Sequence, residues 1–132
     1  MKRNVFENDR GETSTQTVII VPVVLTVLFL AVHLAIIGHA SHVAQVAAER
    51  GAQIAAASNG SVSGLHFAMK QASDVVHDMG AHLGAAPTVQ LSGKTVGVTV
   101  RLVTQKLVPF LPSTVSRTVW VAREEFVKEQ DR

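Results

Sequence analysis

The chain contains no cysteine. This absence excludes thiol catalysis, zinc sites built from thiolates, disulfide bonds and a lipid anchor attached through a cysteine. An exported domain without disulfides must be held together by its own packing or by binding to neighbouring molecules. With 132 residues, the chain has room for one small domain of that kind.

Clusters of chemically active side chains are also missing from the sequence. Basic and acidic residues are scattered and leave a formal net charge of +2, without the basic patch that nucleic-acid binding requires. No nucleophile elbow and no Gly-rich phosphate loop is present. His39 and His42 are three residues apart, but no carboxylate stands beside them at ligand spacing. We therefore predict no enzymatic activity, no cofactor, no metal and no nucleic-acid partner.

One uncharged, almost wholly aliphatic run dominates the chain, from Thr17 to Gly38. A helix needs about 20 apolar residues to cross the hydrocarbon core of a bilayer, and lipid offers no partners to an irregular backbone. A helix in the core of a small soluble protein would have a polar face, and this run has none. It is therefore predicted to be a single transmembrane helix, with Pro22 near its first turns.

Basic residues flank this run unequally. Lys2, Arg3 and Arg10 precede it, whereas the first basic residue after it is Arg50. Lysine and arginine close to a span favour the cytoplasmic side. The distribution predicts a single-pass protein of the cytoplasmic membrane, with its N-terminus inside and its C-terminal domain outside. His33 lies near the outer end of the span, where packing against another protein is one possible role.

An alanine-rich stretch continues the helix beyond the membrane, so that one helix is predicted from Thr15 to Ala57. Polar side chains recur along one face, at His42, Gln45, Glu49 and Gln53. Alanines four residues apart form a second face, the alanine row Ala40, Ala44, Ala48, Ala52 and Ala56. Small residues at this spacing allow helices to approach closely. The row could pack on the chain's own domain, on a neighbouring protein helix, or on both.

The remaining sequence predicts a second helix and three strands. After a turn at residues 58–63, an apolar stripe with helical period predicts a helix from Ser63 to Leu83. Beyond Pro87 the apolar period changes to two. The strand signals are Val89 and Leu91, a hairpin turn at Ser92-Gly93, a second strand with Val96, Val98, Val100 and Leu102 on one face, an apolar loop at Leu107–Pro112, and a third strand from Thr114 to Ala122.

These signals together predict an α+β fold in which a long N-terminal transmembrane helix continues into an exported domain with a second helix and a small three-stranded antiparallel sheet. We divide the chain into a cytoplasmic leader-like segment at 1–12, the transmembrane helix with its extension at 13–57, and a small extracytoplasmic domain at 58–132.

A short basic start, a glycine, a polar run and one long apolar helix resemble the layout of type IV pilin-like precursors. Three features make the chain similar to the TadE-like family of the tight-adherence (Tad/Flp) pilus machinery. These are Arg10-Gly11 before the helix, Pro22 among aliphatic residues, and the alanine-rich box Ala47–Ala57. In that box Glu49 and Arg50 stand in the reverse of the family's common order, and Gln53 replaces a basic residue.

The resemblance implies that a prepilin-type peptidase cuts between Gly11 and Glu12. It also places Gln16 where the family has a glutamate that neutralises the new N-terminal amine of a neighbouring subunit. Glutamine accepts a hydrogen bond but supplies no charge. Gln16 is therefore the main departure from the family pattern, and it bears on both processing and incorporation into a fibre.

The leading functional hypothesis is a membrane-anchored minor pilin or pseudopilin of a Tad/Flp-type pilus assembly or secretion system. It would act by helix–helix packing with other pilin-like subunits and the Tad machinery, in the membrane, at the cell surface or in a pilus. One alternative is an uncleaved bitopic envelope protein whose outer domain binds another partner. The other is a secreted protein, with Gly38 and Ala40 as small residues at a signal-peptidase site.

Overall fold

The structure, a computed structural model, describes residues 9–123, with side chains from Gln16 onward. Most of the predicted leader-like segment and the charged tail beyond Arg123 lie outside these residues. The elements in chain order are α1 (Asp9–Ala57), α2 (Val62–Asp78), β1 (His82–Ser92), β2 (Thr95–Val103) and β3 (Thr114–Ala122). The predicted α+β architecture, with one long helix, a second helix and a three-stranded antiparallel sheet, is confirmed.

Helix α1 begins earlier than predicted, at Asp9 instead of Thr15. The polar run before the apolar segment contains no helix breaker, so the helix continues through it instead of using it as a cap. Pro22 consequently lies in the interior of α1, not in its first turns. Proline there removes one backbone hydrogen bond. The Thr26 hydroxyl donates to the carbonyl oxygen of Pro22 at 2.8 Å, a bond that threonines inside helices make to the residue four before them.

Helix α1 has two halves with different surroundings. Every described side chain from Gln16 to Val32 is exposed, and we call this segment the exposed half. From Ala40 to Ala56 the helix instead buries one face in the core of the domain, and we call this segment the buried half. The helix is thus about 74 Å long at 1.5 Å per residue, and only its second part belongs to a packed domain.

Helix α2 ends five residues before the predicted Leu83, at Asp78. Gly80 adopts a left-handed backbone conformation, with φ of +70°, immediately after the C-cap residue Met79. The Gly80 N–H donates to the His77 carbonyl and the Ala81 N–H donates to the Val76 carbonyl, both at 3.0 Å. This pair of hydrogen bonds is a Schellman motif, which closes a helix at glycine. The apolar period continued past Gly80 in the sequence, so the end of the helix was misplaced.

Strand β1 starts at His82, before the predicted Val89, and passes through Pro87. The strand order is β1-β2-β3, so β1 lies at an edge of the sheet. Register shifts occur between Leu83 and Ala85 and between Ala85 and Thr88. Proline is tolerated on edge strands and at such irregularities because its missing N–H breaks no regular ladder. The β1–β2 hairpin turn at Ser92-Gly93 is confirmed, with φ of +53° at the glycine.

The central strand β2 supplies the sheet's contribution to the core. The predicted apolar face is confirmed, because four alternating side chains are fully buried: Val96, Val98, Val100 and Leu102. β3 has the predicted bounds, pairs antiparallel with β2, and turns Val115, Val119 and Val121 towards the core. The apolar segment at 107–112 lies in the loop between these strands, as predicted. Helix α1 therefore packs against both α2 and the inner face of the sheet, and α2 also contacts β1.

Candidate functional site

The surface of α1 is the candidate site, because the rest of the described chain offers little for chemistry. Residues 16–123 contain no group of three or more His, Asp or Glu side chains placed to hold a metal ion. The functional residues predicted from sequence all lie on α1. Helix surfaces act by packing, so the relevant properties are which faces are covered and what kind of surface the other faces present.

The exposed half of α1 presents an apolar surface on all sides. Val18 is 71% exposed and Val27 is 60% exposed, and these two residues lie on opposite sides of the helix. The segment is long and apolar enough to cross a membrane by its length and composition. Only lipid or apolar surfaces of other proteins can cover such a helix favourably.

The residues predicted to be processed lie at the start of this helix. Gly11 and Glu12 have helical backbone in the first turns of α1, and Gln16 follows with an exposed side chain. Five residues separate Gly11 from Gln16, which is about 7.5 Å along the helix axis. The structure brings these three residues to one end of α1, well separated from the alanine row in the domain.

The alanine row lies in the core of the chain's own domain. Ala44, Ala48 and Ala52 are completely buried, and Ala40 and Ala56 are nearly so. This packing corresponds to the first of the two interpretations of the row. Contact with a partner helix stays a prediction, and it would require α2 or the sheet to move away from α1.

A second row of small and β-branched residues lies beside the first and was not singled out from the sequence. It consists of Val43, Ala47, Gly51 and Ala55, all buried. Two adjacent rows are needed because α1 is covered on one side by α2 and on another by the sheet. The sequence signal was Gly51 itself, since a glycine inside an alanine-rich helix usually has a packing reason.

Gly51 lies where α1, α2 and β2 meet. A Cβ atom at this position would lie 3.1 Å from Val98 Cγ1 on β2 and 3.2 Å from Ala72 Cβ on α2. It would also lie 3.4 Å from the backbone oxygen of Ala68. Both neighbouring elements therefore approach the backbone of α1 as closely as an absent side chain allows. The glycine of the alanine-rich box permits the close approach of all three elements.

The polar face predicted for the extension of α1 is confirmed. His42, Glu49 and Gln53 are exposed, and the Gln45 side-chain amide donates to Glu49 Oε1 at 2.7 Å. These residues point away from the core and leave the domain with a solvated helix face. The sequence periodicity identified this face correctly because it depends only on the local helical repeat.

Arg117 on β3 contacts α1, and Arg123, which directly follows β3, contacts the turn that follows α1. The Arg117 guanidinium donates to the Ser41 hydroxyl, with an Nε–Oγ distance of 2.9 Å. At the far end of the strand, Arg123 Nη2 lies 3.4 Å from Asn59 Oδ1. Both contacts are between residues distant in sequence, and they show that β3 runs in the same direction as α1.

Comparison with known protein families identifies a match to one segment of the chain. The family model described as TadE-like protein matches residues 11–53, from Gly11 through the apolar run to the alanine-rich box. No curated protein and no solved structure matches the chain. The resemblance inferred from the sequence is thereby confirmed for this segment. The matched segment contains most of the helix that, within the described residues, is long and apolar enough to cross a membrane.

Proposed function

We propose that this protein is a minor pilin-like or pseudopilin-like subunit of a Tad/Flp-type pilus assembly or secretion system. The observation that carries the proposal is the division of α1. One half is a continuous apolar helix whose side chains from Gln16 to Val32 are all exposed, and the other half anchors a folded domain. The match to TadE-like proteins spans the junction between these halves.

The exposed half of α1 is the surface that joins subunits. In the bilayer it is covered by lipid, where helix association depends on packing more than on the hydrophobic effect. When the helix leaves the bilayer, its apolar side chains must be covered by the helices of other subunits. The buried half keeps the domain at a constant position relative to the exposed half during this transfer, because one continuous helix forms both.

The first prediction concerns the N-terminus of the native protein. A prepilin-type peptidase should cut between Gly11 and Glu12, because a small residue before the bond fits such an enzyme. The cut would remove Lys2, Arg3 and Arg10, which otherwise hold the helix at the cytoplasmic face. Mass spectrometry of the native protein should find Glu12 as the first residue.

Gly11→Leu is the matched variant for this experiment, and it should retain Met1 in cells that contain the peptidase. Finding Met1 on the unsubstituted protein in the same cells would contradict processing and favour the uncleaved bitopic protein. Gln16 is the observation that favours this alternative, because it lacks the charge that pilin assembly uses. A start at Ser41 would instead indicate signal-peptidase cleavage, which would cut a continuous helix next to the buried Ala40.

The second prediction concerns topology. The bias of Lys and Arg towards the N-terminal side of the span places the C-terminal domain outside the cytoplasm. Alkaline phosphatase fused after Arg132 should therefore be active, and a reporter that works only in the cytoplasm should be inactive at the same position. The reverse pattern of activities would contradict the proposed orientation without bearing on the fold.

A further inference from the structure

The loop between β2 and β3 presents an unusual amount of exposed apolar surface. We call residues 107–112, with the sequence LVPFLP, the apolar loop. Phe110 is 95% exposed, the highest value for any large apolar side chain in the described part of the chain, and Leu107 is 41% exposed. One exposed apolar residue needs no explanation, but two large exposed side chains in a wholly apolar loop, with Val108 and Leu111 half-buried beside them, indicate a surface that something covers.

Hydrogen bonds shape this loop into a narrow projection. At its base, the Thr104 N–H and hydroxyl both donate to the Ser113 carbonyl, at 2.7 Å and 3.1 Å. At its tip, the Leu111 N–H donates to the Val108 carbonyl at 3.3 Å, which closes a turn with Pro109 and Phe110 at its centre. The turn therefore carries Phe110 at the end of the projection.

The contact of Arg117 with α1 gives the position of this projection along the axis of the helix. Arg117 contacts Ser41, and Thr114, where the strand begins, lies about 10 Å further back along the strand. That distance corresponds to roughly six or seven residues of α1, which places Thr114 beside residues 34–35. The apolar loop precedes Thr114, so it leaves the domain at the outer end of the apolar run.

A cleft in the structure supports this placement independently. Its lining includes Ile36, His39 and Ala40 of α1 together with Thr104 and Gln105, where the loop departs. The base of the loop is therefore next to the last turns of the apolar run, which ends at Gly38. Because β3 runs in the same direction as α1, the loop that precedes β3 lies at the end of the domain that faces the apolar run. A loop at this end extends towards the membrane.

His33 shows that part of the chain covers α1 at this height. It is completely buried, although its neighbours Val32 and Leu34 are 43% and 58% exposed. Neither ring nitrogen has a hydrogen-bond partner. A polar ring in this position would face lipid on an isolated helix, at an energetic cost. Burial by the protein's own chain removes this exposure.

We propose that the apolar loop inserts into the outer part of the bilayer beside α1, so that lipid is the partner of Phe110 and Leu107. The exposed apolar surface of the loop lies at the same level along the axis of α1 as the outer end of the transmembrane segment. In the proposal, lipid covers both surfaces. The exposed Lys106 at the start of the loop would then lie among the headgroups, where lysine is favourable. The inference rests on the membrane-anchored part of the proposed function.

The absence of cysteine makes a direct test simple. Phe110→Cys in the full-length protein can carry a single environment-sensitive fluorophore, and this substitution disturbs no packing because the side chain is almost fully exposed. The protein is reconstituted into vesicles of phosphatidylethanolamine and phosphatidylglycerol. The emission should shift to the blue, and nitroxides about 5–10 Å below the headgroups should quench it more strongly than nitroxides at the chain ends.

Two labelled variants serve as controls. Ser92→Cys places the same fluorophore on the exposed hairpin turn at the opposite end of the sheet, and its emission should remain that of a label in water. Val27→Cys places it in the middle of the exposed half of α1, where it should report lipid. Reconstitution makes these measurements independent of the orientation of the protein in cells.

The possible outcomes distinguish insertion of the apolar loop from membrane anchoring of α1. A water-like signal at position 110 together with a lipid signal at position 27 would overturn loop insertion and leave membrane anchoring intact. Water-like signals at both positions would contradict the membrane anchor itself. A label at position 110 that is water-like in vesicles but shielded in whole cells would also overturn the proposal, because a protein and not lipid would then cover the loop.

Discussion

Replacing Gly51 with leucine is expected to destabilise the domain severely. Even a Cβ atom at this position would lie within 3.2 Å of Val98 and Ala72, and leucine adds three further carbon atoms. Overpacking typically costs about 1–3 kcal/mol, and a site enclosed by two elements belongs at or above the upper end of that range. For a domain of this size, a loss of about 3 kcal/mol lowers the melting temperature by at least about 10 °C.

Gly38→Leu is the matched control, because the same substitution is made in the same helix. A Cβ atom at Gly38 would have no neighbour within 4 Å. Leucine should there gain up to about 1 kcal/mol of helix propensity and leave the domain folded. Gly51→Ala should lie between the two, since a similar gain in propensity is offset by close contacts.

Trp120 provides the measurement for these variants. It is the only tryptophan, and its ring lies against the backbone of Gly97 in the neighbouring strand. Its fluorescence during thermal unfolding of the detergent-solubilised protein should therefore report the sheet and not the long helix. Equal melting temperatures for Gly51→Leu and Gly38→Leu would contradict the three-way junction at Gly51.

The double substitution of Ala44 and Ala48 by leucine is expected to have a comparable effect. Both alanines are completely buried within the chain, so six added carbon atoms must displace α2 or the sheet. We expect a loss of at least about 3 kcal/mol of unfolding free energy, measured by the same fluorescence transition. In cells, the protein should become sensitive to proteases in the extracytoplasmic compartment.

Ala57→Leu is the control for the alanine row, because Ala57 lies in the same helix with an exposed side chain. It should leave the unfolding transition unchanged. The experiment also tests whether the row contacts a partner helix. If the double variant unfolds normally while cross-linking to other pilus components falls, the row serves partners and the intramolecular packing is not its main role.

From these considerations we expect contact with other molecules on the exposed half of α1 and not on the buried half. The alanines were predicted to permit close approach between helices, and in the structure they permit the close approach of α2 and the sheet to α1. Under the proposed function, a subunit with this arrangement would join its neighbours through the large aliphatic side chains that are exposed between Gln16 and Val32. Its small residues stabilise the domain that the helix carries.

The sequence by itself determined the features that depend on local composition and period. The apolar run from Thr17 to Gly38 predicts a span because crossing lipid requires only length and hydrophobicity. The alternation in β2 and the glycine at position 93 predict a hairpin because both act between neighbouring residues. The motifs between residues 11 and 53 were sufficient to indicate a resemblance to the TadE-like family over that segment, since they are read directly from residue order.

Only the tertiary structure decided which surface covers each face. Helical period shows that Ala48 and Gly51 lie on small faces of α1, but not that α2 and β2 occupy them, because those elements come later in the chain. Gly80 ends α2 although the apolar period continues beyond it. The hydrogen bonds of the capping motif at Gly80 and Ala81 close the helix, whatever the pattern of apolar residues that follows. The position of the apolar loop beside the end of the span depends on Arg117 meeting Ser41, a contact between residues that no local pattern connects.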